Sequence, residues 1–241
     1  MPWRRSISGQ PVVVFTTNDR PHYLAETLVS WSHVRGIEDA LLIFSCEPSP
    51  ERDEIVRLLK VISFAETQIW LNDRQLGVEA NPYKAELLGF EAGADFVIQA
   101  EDDATVTTDF LEYMAWGAAT YRDDPTVHAV CSYQNTQRGP VDEVFRRQWF
   151  CAKPWGTWRD RWDGMKDFWP SGPIPGVGSW DAWMTEHMKR HGTVVIEPSQ
   201  SRSKNIGVAG VHGTHTAHME AEWEAQRFIP HIPPQVYRER P

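Results

Sequence analysis

Three consecutive acidic residues, Glu101-Asp102-Asp103, stand where a short buried strand is expected to end. The segment 95–100 before them is apolar and rich in strand-forming residues, and the sequence from Thr107 onward has the polar start of a helix. Carboxylates this close together repel one another, so the triplet indicates either a solvated loop or a bound counter-charge. A divalent cation that also binds a diphosphate supplies such a charge, and we expect a metal and phosphate site here.

Strands and helices alternate through the first half of the chain, which predicts a parallel sheet with helices on both faces. In such α/β sheets ligands bind at the carboxyl ends of the strands, where the acidic triplet also lies. Neither a G-x-G-x-x-G motif nor a P-loop follows the first strand, so two common phosphate-binding signatures are missing. The predicted strands are 12–15, 40–44, a short one within 63–70, and 95–100; the predicted helices are 22–34, 50–60 and 83–92.

The second half of the chain has fewer predicted elements. A polar stretch and Pro/Gly-rich loops separate them. We expect strands over 127–131 and 193–196 and a helix over 179–191. More than half of the 12 tryptophans fall between positions 149 and 183. Core packing accounts for any one of them, whereas a cluster this dense also suits a pocket that stacks flat rings.

The composition is that of a globular protein long enough for a sizeable core, with 241 residues of which 41% are hydrophobic. The net charge of −9 argues against generic nucleic-acid binding, which needs a large cationic surface. No stretch approaches the ~20 apolar residues of a membrane span, and no apolar run follows the basic start, so we expect a cytoplasmic protein. The three cysteines lack metal-site spacing and are expected to be reduced and mostly buried.

Three motifs in the same order resemble the GT-A glycosyltransferases, in particular the N-acetylglucosaminyltransferase I type and its bacterial and phage relatives. Residues 101–113 are similar to that family's E-D-D-x-x-V-x-P-D-F-x-E-Y signature, with Thr108 in place of the proline. Residues 178–184 are similar to its W-D-x-W-M motif. Residues 203–207, followed by 213–216, are similar to the S-x-x-N-I-G…T-H-T ending of the bacterial members.

The resemblance implies a GT-A, Rossmann-like fold of the nucleotide-diphospho-sugar transferases. It implies one catalytic domain over 1–220, with a nucleotide-binding half at about 10–125 and an acceptor half at about 126–220. Residues 221–241 are expected to form an extended, weakly ordered tail. The implied activity is metal-dependent transfer of a sugar, with inversion, from a nucleoside diphosphate sugar, most commonly UDP-linked, to an acceptor hydroxyl.

The resemblance also assigns roles around the acidic triplet. Asp103 is expected to bind Mn²⁺ or Mg²⁺, Asp102 to accept hydrogen bonds from the ribose, and Glu101 to support the site. His215 is expected to be a further metal or diphosphate ligand from a C-terminal loop, and a histidine-rich surface loop is the alternative.

Further residues are expected to meet the nucleotide. Thr16 and Arg20 fall where the family holds it, although a solvated turn would also account for Arg20. Glu47 stands where the family has an aspartate that reads the uracil edge, and its longer side chain leaves the base open. Lys84 is expected near the phosphates, or else exposed on its helix. Lys204, with Arg202 beside it, is also expected to meet the diphosphate.

Asp181 is the expected catalytic base, since an inverting transferase must remove a proton from the acceptor hydroxyl as that oxygen attacks. Trp180 and Trp183 flank it, and partial desolvation would favour its acting as a base. An N-cap role for Asp181, close to Ser179 at the start of the helix, is the alternative interpretation.

The acceptor is expected to meet Trp155, Trp158 and Trp180, although their spacing also suits core packing. A local excess of cations suggests an acceptor bearing phosphate, such as a lipid-linked saccharide or hydroxymethylated DNA. These cations are Arg146, Arg147, Lys153, Arg159 and Arg161, against the single acid Asp160.

Two other functions remain open: a sugar nucleotidyltransferase, whose usual Gly-rich loop is missing, and a nucleotide-sugar-binding module without catalysis.

Overall fold

A computed structural model describes residues 9–134, 139–172, 174–207 and 228–240. Its first half alternates strands and helices along the chain, as the sequence predicts. These elements are β1 (Val12–Thr17), α1 (Pro21–Trp31), β2 (Leu41–Cys46), α2 (Arg52–Lys60), β3 (Glu66–Leu71), α3 (Gly77–Glu91) and β4 (Phe96–Glu101).

The second half adds shorter strands and three more helices. These elements are β5 (Ala104–Val106), α4 (Phe110–Thr120), β6 (Val127–Cys131), β7 (Glu143–Arg147), β8 (Trp155–Trp158), α5 (Arg159–Met165), α6 (Trp180–His191), β9 (Val194–Pro198), β10 (Ser203–Asn205) and β11 (Arg238–Glu239).

Nine of the described strands form one sheet in the order β11-β7-β9-β6-β8-β4-β1-β2-β3, and β5 pairs with β10 in a separate antiparallel ladder. Strands β3, β2, β1 and β4 run parallel, so their carboxyl ends lie at one edge. The register places Thr16 opposite both Ser45 and Glu101. The residues that follow these strands are therefore neighbours in space although they are far apart in sequence.

Helices cover both faces of the sheet because the central strands are apolar on both sides. One core lies under α1, α2 and α4 and contains Trp31, Phe15 and Phe110. The other lies under α3, α5 and α6 and contains Trp162 and Met184.

Strand β8 is the main departure from the predicted architecture, since it runs antiparallel between β4 and β6 inside the tryptophan-rich stretch. Gly156 permits this insertion: a Cβ at that position would lie 2.5 Å from the ring of Phe96. The sheet is mostly parallel rather than wholly parallel. The sequence missed this strand because its tryptophans suggested a pocket.

Residues 228–240 pack on the fold, whereas the sequence suggested a weakly ordered tail over 221–241. Strand β11 pairs in parallel with β7, and Ile232 and Tyr237 are buried. The Tyr237 hydroxyl donates to Asp109 Oδ2 at 2.7 Å. The backbone N–H of Thr108 donates to Pro230 O at 2.9 Å, so the segment is fixed beside the start of α4.

Within the described ranges, no helix combines the length and the apolar character needed to cross a bilayer.

Candidate functional site

A cavity of about 550 Å³ opens at the carboxyl ends of β1, β2 and β4. The turn after β1, the acidic triplet after β4 and the start of α3 form most of its wall. Further residues come from distant parts of the chain. The lining residues are Thr16, Thr17, Asn18, Asp19, Arg20, Glu47, Gln75, Gly77, Val78, Glu79, Asn81, Pro82, Glu101, Asp102, Asp103, Lys153, Asn205 and Gly207.

Arg20 bridges two carboxylates of the triplet. Its Nη2 lies 2.5 Å from Asp102 Oδ1, and its Nη1 lies 2.7 Å from Asp103 Oδ2. Both carboxylates are buried. The turn that carries Arg20 is tied to the same site, because the Asn18 N–H donates to Asp102 Oδ2 at 3.3 Å. The guanidinium thus supplies the counter-charge that closely spaced acids require.

Burial dominates the electrostatics of these groups. It raises the pKa of Glu101 to about 8, and the carboxylates of Asp103 and Asp102 add to that shift. Burial also raises the pKa of Asp102 to about 6, against the opposing effect of Arg20. For Arg20, burial lowers the pKa, but the two carboxylates outweigh it and leave the value above its ordinary range.

The end of β10 and the two residues after it contact Asp103. Asn205 Nδ2 donates to Asp103 Oδ1 at 3.2 Å, and the Ile206 N–H donates to Asp103 O at 2.8 Å. Gly207 lies so close that a Cβ there would come 2.0 Å from Asp103 Oδ2. Sequence reasoning did not select Asn205 or Gly207, although both belong to the motif over 203–207.

A buried ion pair holds this segment in place. Arg202 is fully buried, and its Nε lies 2.9 Å from Asp109 Oδ2. Its guanidinium also lies over the ring of Tyr113 at 5.6 Å and that of Tyr237 at 5.7 Å. Arg202 therefore holds the structure together from behind the site, and the expectation that it meets a diphosphate is not supported.

Glu47 lies in the cavity wall, but its carboxylate is engaged with the start of α3. It accepts hydrogen bonds from the N–H of Leu76 at 3.0 Å and of Gly77 at 2.8 Å. Asn72 Nδ2 donates to it at 3.2 Å. A carboxylate here stabilises the helix N-terminus, which explains why α3 begins six residues before the predicted start.

The two lysines expected at the phosphates lie outside this cavity wall. Lys84 Nζ donates to Asn72 Oδ1 at 2.6 Å and so belongs to the network behind Glu47. Lys204 lies on β10 opposite Thr105. The structure instead brings Lys153 to the cavity.

Asp181 lies in the first turn of α6 and is not among the residues that line the cavity. Its Oδ1 accepts hydrogen bonds from the Ala182 N–H at 2.8 Å and from the Ser179 hydroxyl. Burial raises the pKa of the Cys151 thiol to about 11, while the charge of Lys153 lowers it and that of Asp181 raises it slightly. The N-cap of α6 is Ser179 and Asp181 is the second residue of the helix, so Asp181 is not the N-cap that the alternative interpretation expected.

The three tryptophans expected at the acceptor are core residues. Trp155, Trp158 and Trp180 are buried, and their rings pack on other aromatic rings, such as Trp155 on Phe150 at 4.9 Å. No indole face of these three is open to an acceptor. The exposed indole of this region is Trp149, at 56%, which the sequence could not distinguish from its neighbours.

The local excess of cations does not form a cationic surface. Arg146 pairs with Asp124 and Glu239, and Arg147 pairs with Glu197. Arg159 donates to the carbonyls of Phe90 and Ala94 at 2.7 Å each. Arg161 binds Asp160 and three backbone carbonyls of residues 121–124. Four of the five cations are thus engaged by protein groups and the fifth, Lys153, lines the cavity, so a phosphate-bearing acceptor stays a prediction.

His215, expected as a metal or diphosphate ligand, lies outside the described residues. Among the residues that are described, no three His, Cys, Asp or Glu side chains converge as a metal cage. Mg²⁺ and similar cations are commonly held by one or two carboxylates together with phosphate oxygens. Asp103 and Asp102 fit that kind of site.

Comparison with known proteins places this geometry in context. The family model described as the GNT-I family matches residues 85–221, more than half of the chain. The matched range contains the acidic triplet, Asp181 and the segment 203–207.

Solved structures share the fold at low sequence identity. The mannosyltransferase PcManGT from Pyrobaculum calidifontis, in complex with GDP-Man and Mn²⁺, is 15% identical with a TM-score of 0.57, over 81% of this chain and 59% of that one. S. aureus TarS 1–349, in complex with UDP-GlcNAc, is 13% identical with a TM-score of 0.58, over 86% and 61%. GalNAc-T7 with UDP, GalNAc and Mn²⁺ is 13% identical with a TM-score of 0.56, over 87% and 44%. The likeness confirms the GT-A fold expected from the sequence, and the chain spans less than two thirds of each of these proteins.

Proposed function

Because this chain belongs to the GNT-I family, we propose that it is a glycosyltransferase that moves a sugar from a nucleoside diphosphate sugar to an acceptor hydroxyl. The observation that carries the proposal is the cavity at the carboxyl ends of β1, β2 and β4, lined by the turn 16–20 and by the acidic triplet. A dinucleotide fingerprint is missing there, so the diphosphate must be held by a cation, by side chains or by both.

We propose that Asp103 holds Mn²⁺ or Mg²⁺ and that Asp102 receives the ribose hydroxyls. When bound, the cation neutralises charge that develops on the departing nucleoside diphosphate. Arg20, Thr16 and Glu101 line the same cavity and support this placement. A carboxylate pair with one guanidinium suits a ligand that combines phosphates with a divalent cation.

The nucleotide we propose is uridine diphosphate, since TarS and GalNAc-T7 are solved with UDP-containing ligands. PcManGT is solved with GDP-Man, so the base has to be tested directly. The Glu47 carboxylate already accepts hydrogen bonds from the start of α3. We therefore propose that it shapes the nucleotide end of the cavity through that helix.

For the acceptor we propose a saccharide hydroxyl, deprotonated by Asp181 with inversion at the anomeric carbon. The charges of Asp181 and Lys153 both act on the pKa of the Cys151 thiol, and Lys153 lines the cavity, which supports an acceptor side in this region. We propose that the exposed ring of Trp149 belongs to the acceptor side. Its neighbour Phe150 donates its N–H to Thr185 Oγ1 at 3.2 Å, on the same helix, α6, that carries Asp181 in its first turn.

The test is donor hydrolysis across a panel of nucleotide sugars with Mn²⁺, with Mg²⁺ and with EDTA. We expect slow release of nucleoside diphosphate from one donor, only with a divalent cation, and at least a hundredfold loss in Asp103→Asn. Asp163→Asn, which removes an exposed acid paired with Lys166, is the control and should keep full activity.

The products separate the alternatives. Release of pyrophosphate from a nucleoside triphosphate and a sugar phosphate would show a nucleotidyltransferase. Nucleotide binding without turnover on any donor would favour a binding module. If neither turnover nor metal-dependent nucleotide binding is found, the proposed function is wrong.

A further inference from the structure

The guanidinium of Arg20 contacts carboxylate oxygens that a divalent cation would need as ligands. It lies 2.7 Å from Asp103 Oδ2 and 2.5 Å from Asp102 Oδ1. The other oxygen of Asp103 accepts a hydrogen bond from Asn205 at 3.2 Å. Both oxygens of the expected metal ligand therefore have protein partners in this arrangement.

The surroundings leave little room for a cation to bind beside Arg20. Asp103 is buried, and Gly207 packs so closely against Asp103 Oδ2 that a Cβ at position 207 would not fit. That same absent Cβ would also lie 3.0 Å from Arg20 Nη1, so backbone and guanidinium close around one oxygen. A divalent cation at this oxygen would stand within a few ångströms of a positive guanidinium, and in a partly buried site that repulsion is weakly screened.

Arg20 has an anchored backbone and a head group that is partly exposed. Its carbonyl accepts the Leu24 N–H at 3.1 Å, at the start of α1. Its Cζ lies 5.6 Å from the centre of the Tyr23 ring. The side chain is long and a quarter exposed, so the guanidinium can leave Asp103 without any change in the backbone.

We propose that Arg20 and the divalent cation compete for Asp103, and that the diphosphate of the donor resolves the competition by drawing Arg20 to itself. Arg20 then couples the binding of metal to the binding of donor. The inference rests on the proposed function, because it needs a diphosphate in this cavity. It predicts weak binding of metal alone and strong mutual reinforcement of metal and nucleotide.

The test is Mn²⁺ binding, measured by the loss of the electron paramagnetic resonance signal of free Mn²⁺, with and without UDP. Removal of the competitor in Arg20→Gln should tighten binding of Mn²⁺ alone at least tenfold. The ratio of the Mn²⁺ dissociation constants without and with UDP should fall at least tenfold, because the variant has no guanidinium to transfer to the phosphates. Arg35→Gln is the matched control: it removes an arginine bound to Glu112 at 3.0 and 2.5 Å outside the cavity and should change neither quantity.

The outcomes distinguish this inference from the proposed function. If the wild-type chain binds Mn²⁺ neither alone nor with UDP, both are wrong. If the wild-type chain binds Mn²⁺ with UDP but Arg20→Gln binds Mn²⁺ alone no more tightly, the competition is overturned and the proposed function stands. Should Arg20→Gln fail to fold, Arg20→Lys retains the charge but cannot bridge both acids. It should tighten Mn²⁺ binding at least threefold, and an unchanged affinity overturns the inference.

Discussion

The acidic side chains with proposed roles divide into those that line the cavity and Asp181, which lies in the first turn of α6 and does not line it. The first group is positioned by strand ends and by Arg20, and we propose that it binds the donor. For Asp181 we propose a role toward the acceptor.

Asp181→Asn tests that division. An amide cannot take the acceptor proton, so we expect turnover to fall at least a thousandfold, while Mn²⁺-dependent UDP binding stays within twofold of wild type. The hydrogen bond from the Ala182 N–H can be kept by the amide oxygen, so the helix should remain intact. Steady-state transfer and UDP titration of the same preparation decide the matter. Full turnover in the variant would remove the assignment of the base.

Trp149→Ala tests the acceptor side. Loss of a stacking face worth ~1.4 kcal/mol should raise the acceptor KM about tenfold and leave the donor KM unchanged. Trp70→Ala is the matched control, because Trp70 is 47% exposed on the edge strand β3. Equal effects of the two substitutions would contradict a role for Trp149.

At the scale of elements, α3 links the core to the cavity. Its first residues, Gly77 and Val78, line the cavity, and Gly89 lies against β1 and β4 further along. A Cβ at Gly89 would come 2.8 Å from the side chains of Val14 and Val97. The glycine therefore sets how closely the helix approaches the sheet.

Gly89→Ala should destabilise the protein by about 1–3 kcal/mol through overpacking, despite a gain in helix propensity of up to ~1 kcal/mol. Gly164→Ala in α5 makes the matched comparison, since a Cβ there meets nothing within 4 Å, and it should be neutral or slightly stabilising. Urea unfolding of both variants measures the difference. A Gly89→Ala variant as stable as Gly164→Ala would show that α3 can move away from the sheet at no cost.

The elements themselves were largely predictable. Both bounds of strand β6 were predicted correctly, and those of β4 were predicted to within one residue. A short apolar run between turn residues is typical of a buried strand. The start of α3 and strand β8 were missed. Both depend on distant partners, the Glu47 carboxylate for the helix and β4 with β6 for the strand.

At the scale of the whole molecule, His128 makes stability depend on pH. It lies buried on β6, with Nε2 3.2 Å from Met165 Sδ. Burial lowers its pKa to about 3, and the positive charges of His187, Arg161 and His191 act in the same direction. Between about pH 6.5 and 3, His128 therefore stays unprotonated in the folded chain, whereas it binds a proton in the unfolded chain.

The sign follows from that difference. Between about pH 6.5 and 3 the unfolded state binds more protons, so the free energy of unfolding falls as the pH falls, by at most ~1.4 kcal/mol per pH unit from this group. His128→Gln should flatten the slope measured by urea unfolding between pH 6.5 and 4.5. His33→Gln, which alters an exposed histidine, should leave the slope as it is. Equal slopes for His128→Gln and wild type would show that His128 takes up its proton in the folded state.

The sequence alone determined the alternation of strands and helices, the edge of the sheet at which the cavity opens, and the family whose motifs appear in order. These follow from local periodicity and from residue types at fixed spacing, which need no knowledge of distant contacts. Only the tertiary structure decided which polar groups remain available. Glu47, Lys84 and Arg202 looked like ligand residues, but their side chains are engaged by partners far away in sequence. The choice of such partners, like the burial of the tryptophans, depends on which elements the fold brings together, and no local pattern contains that information.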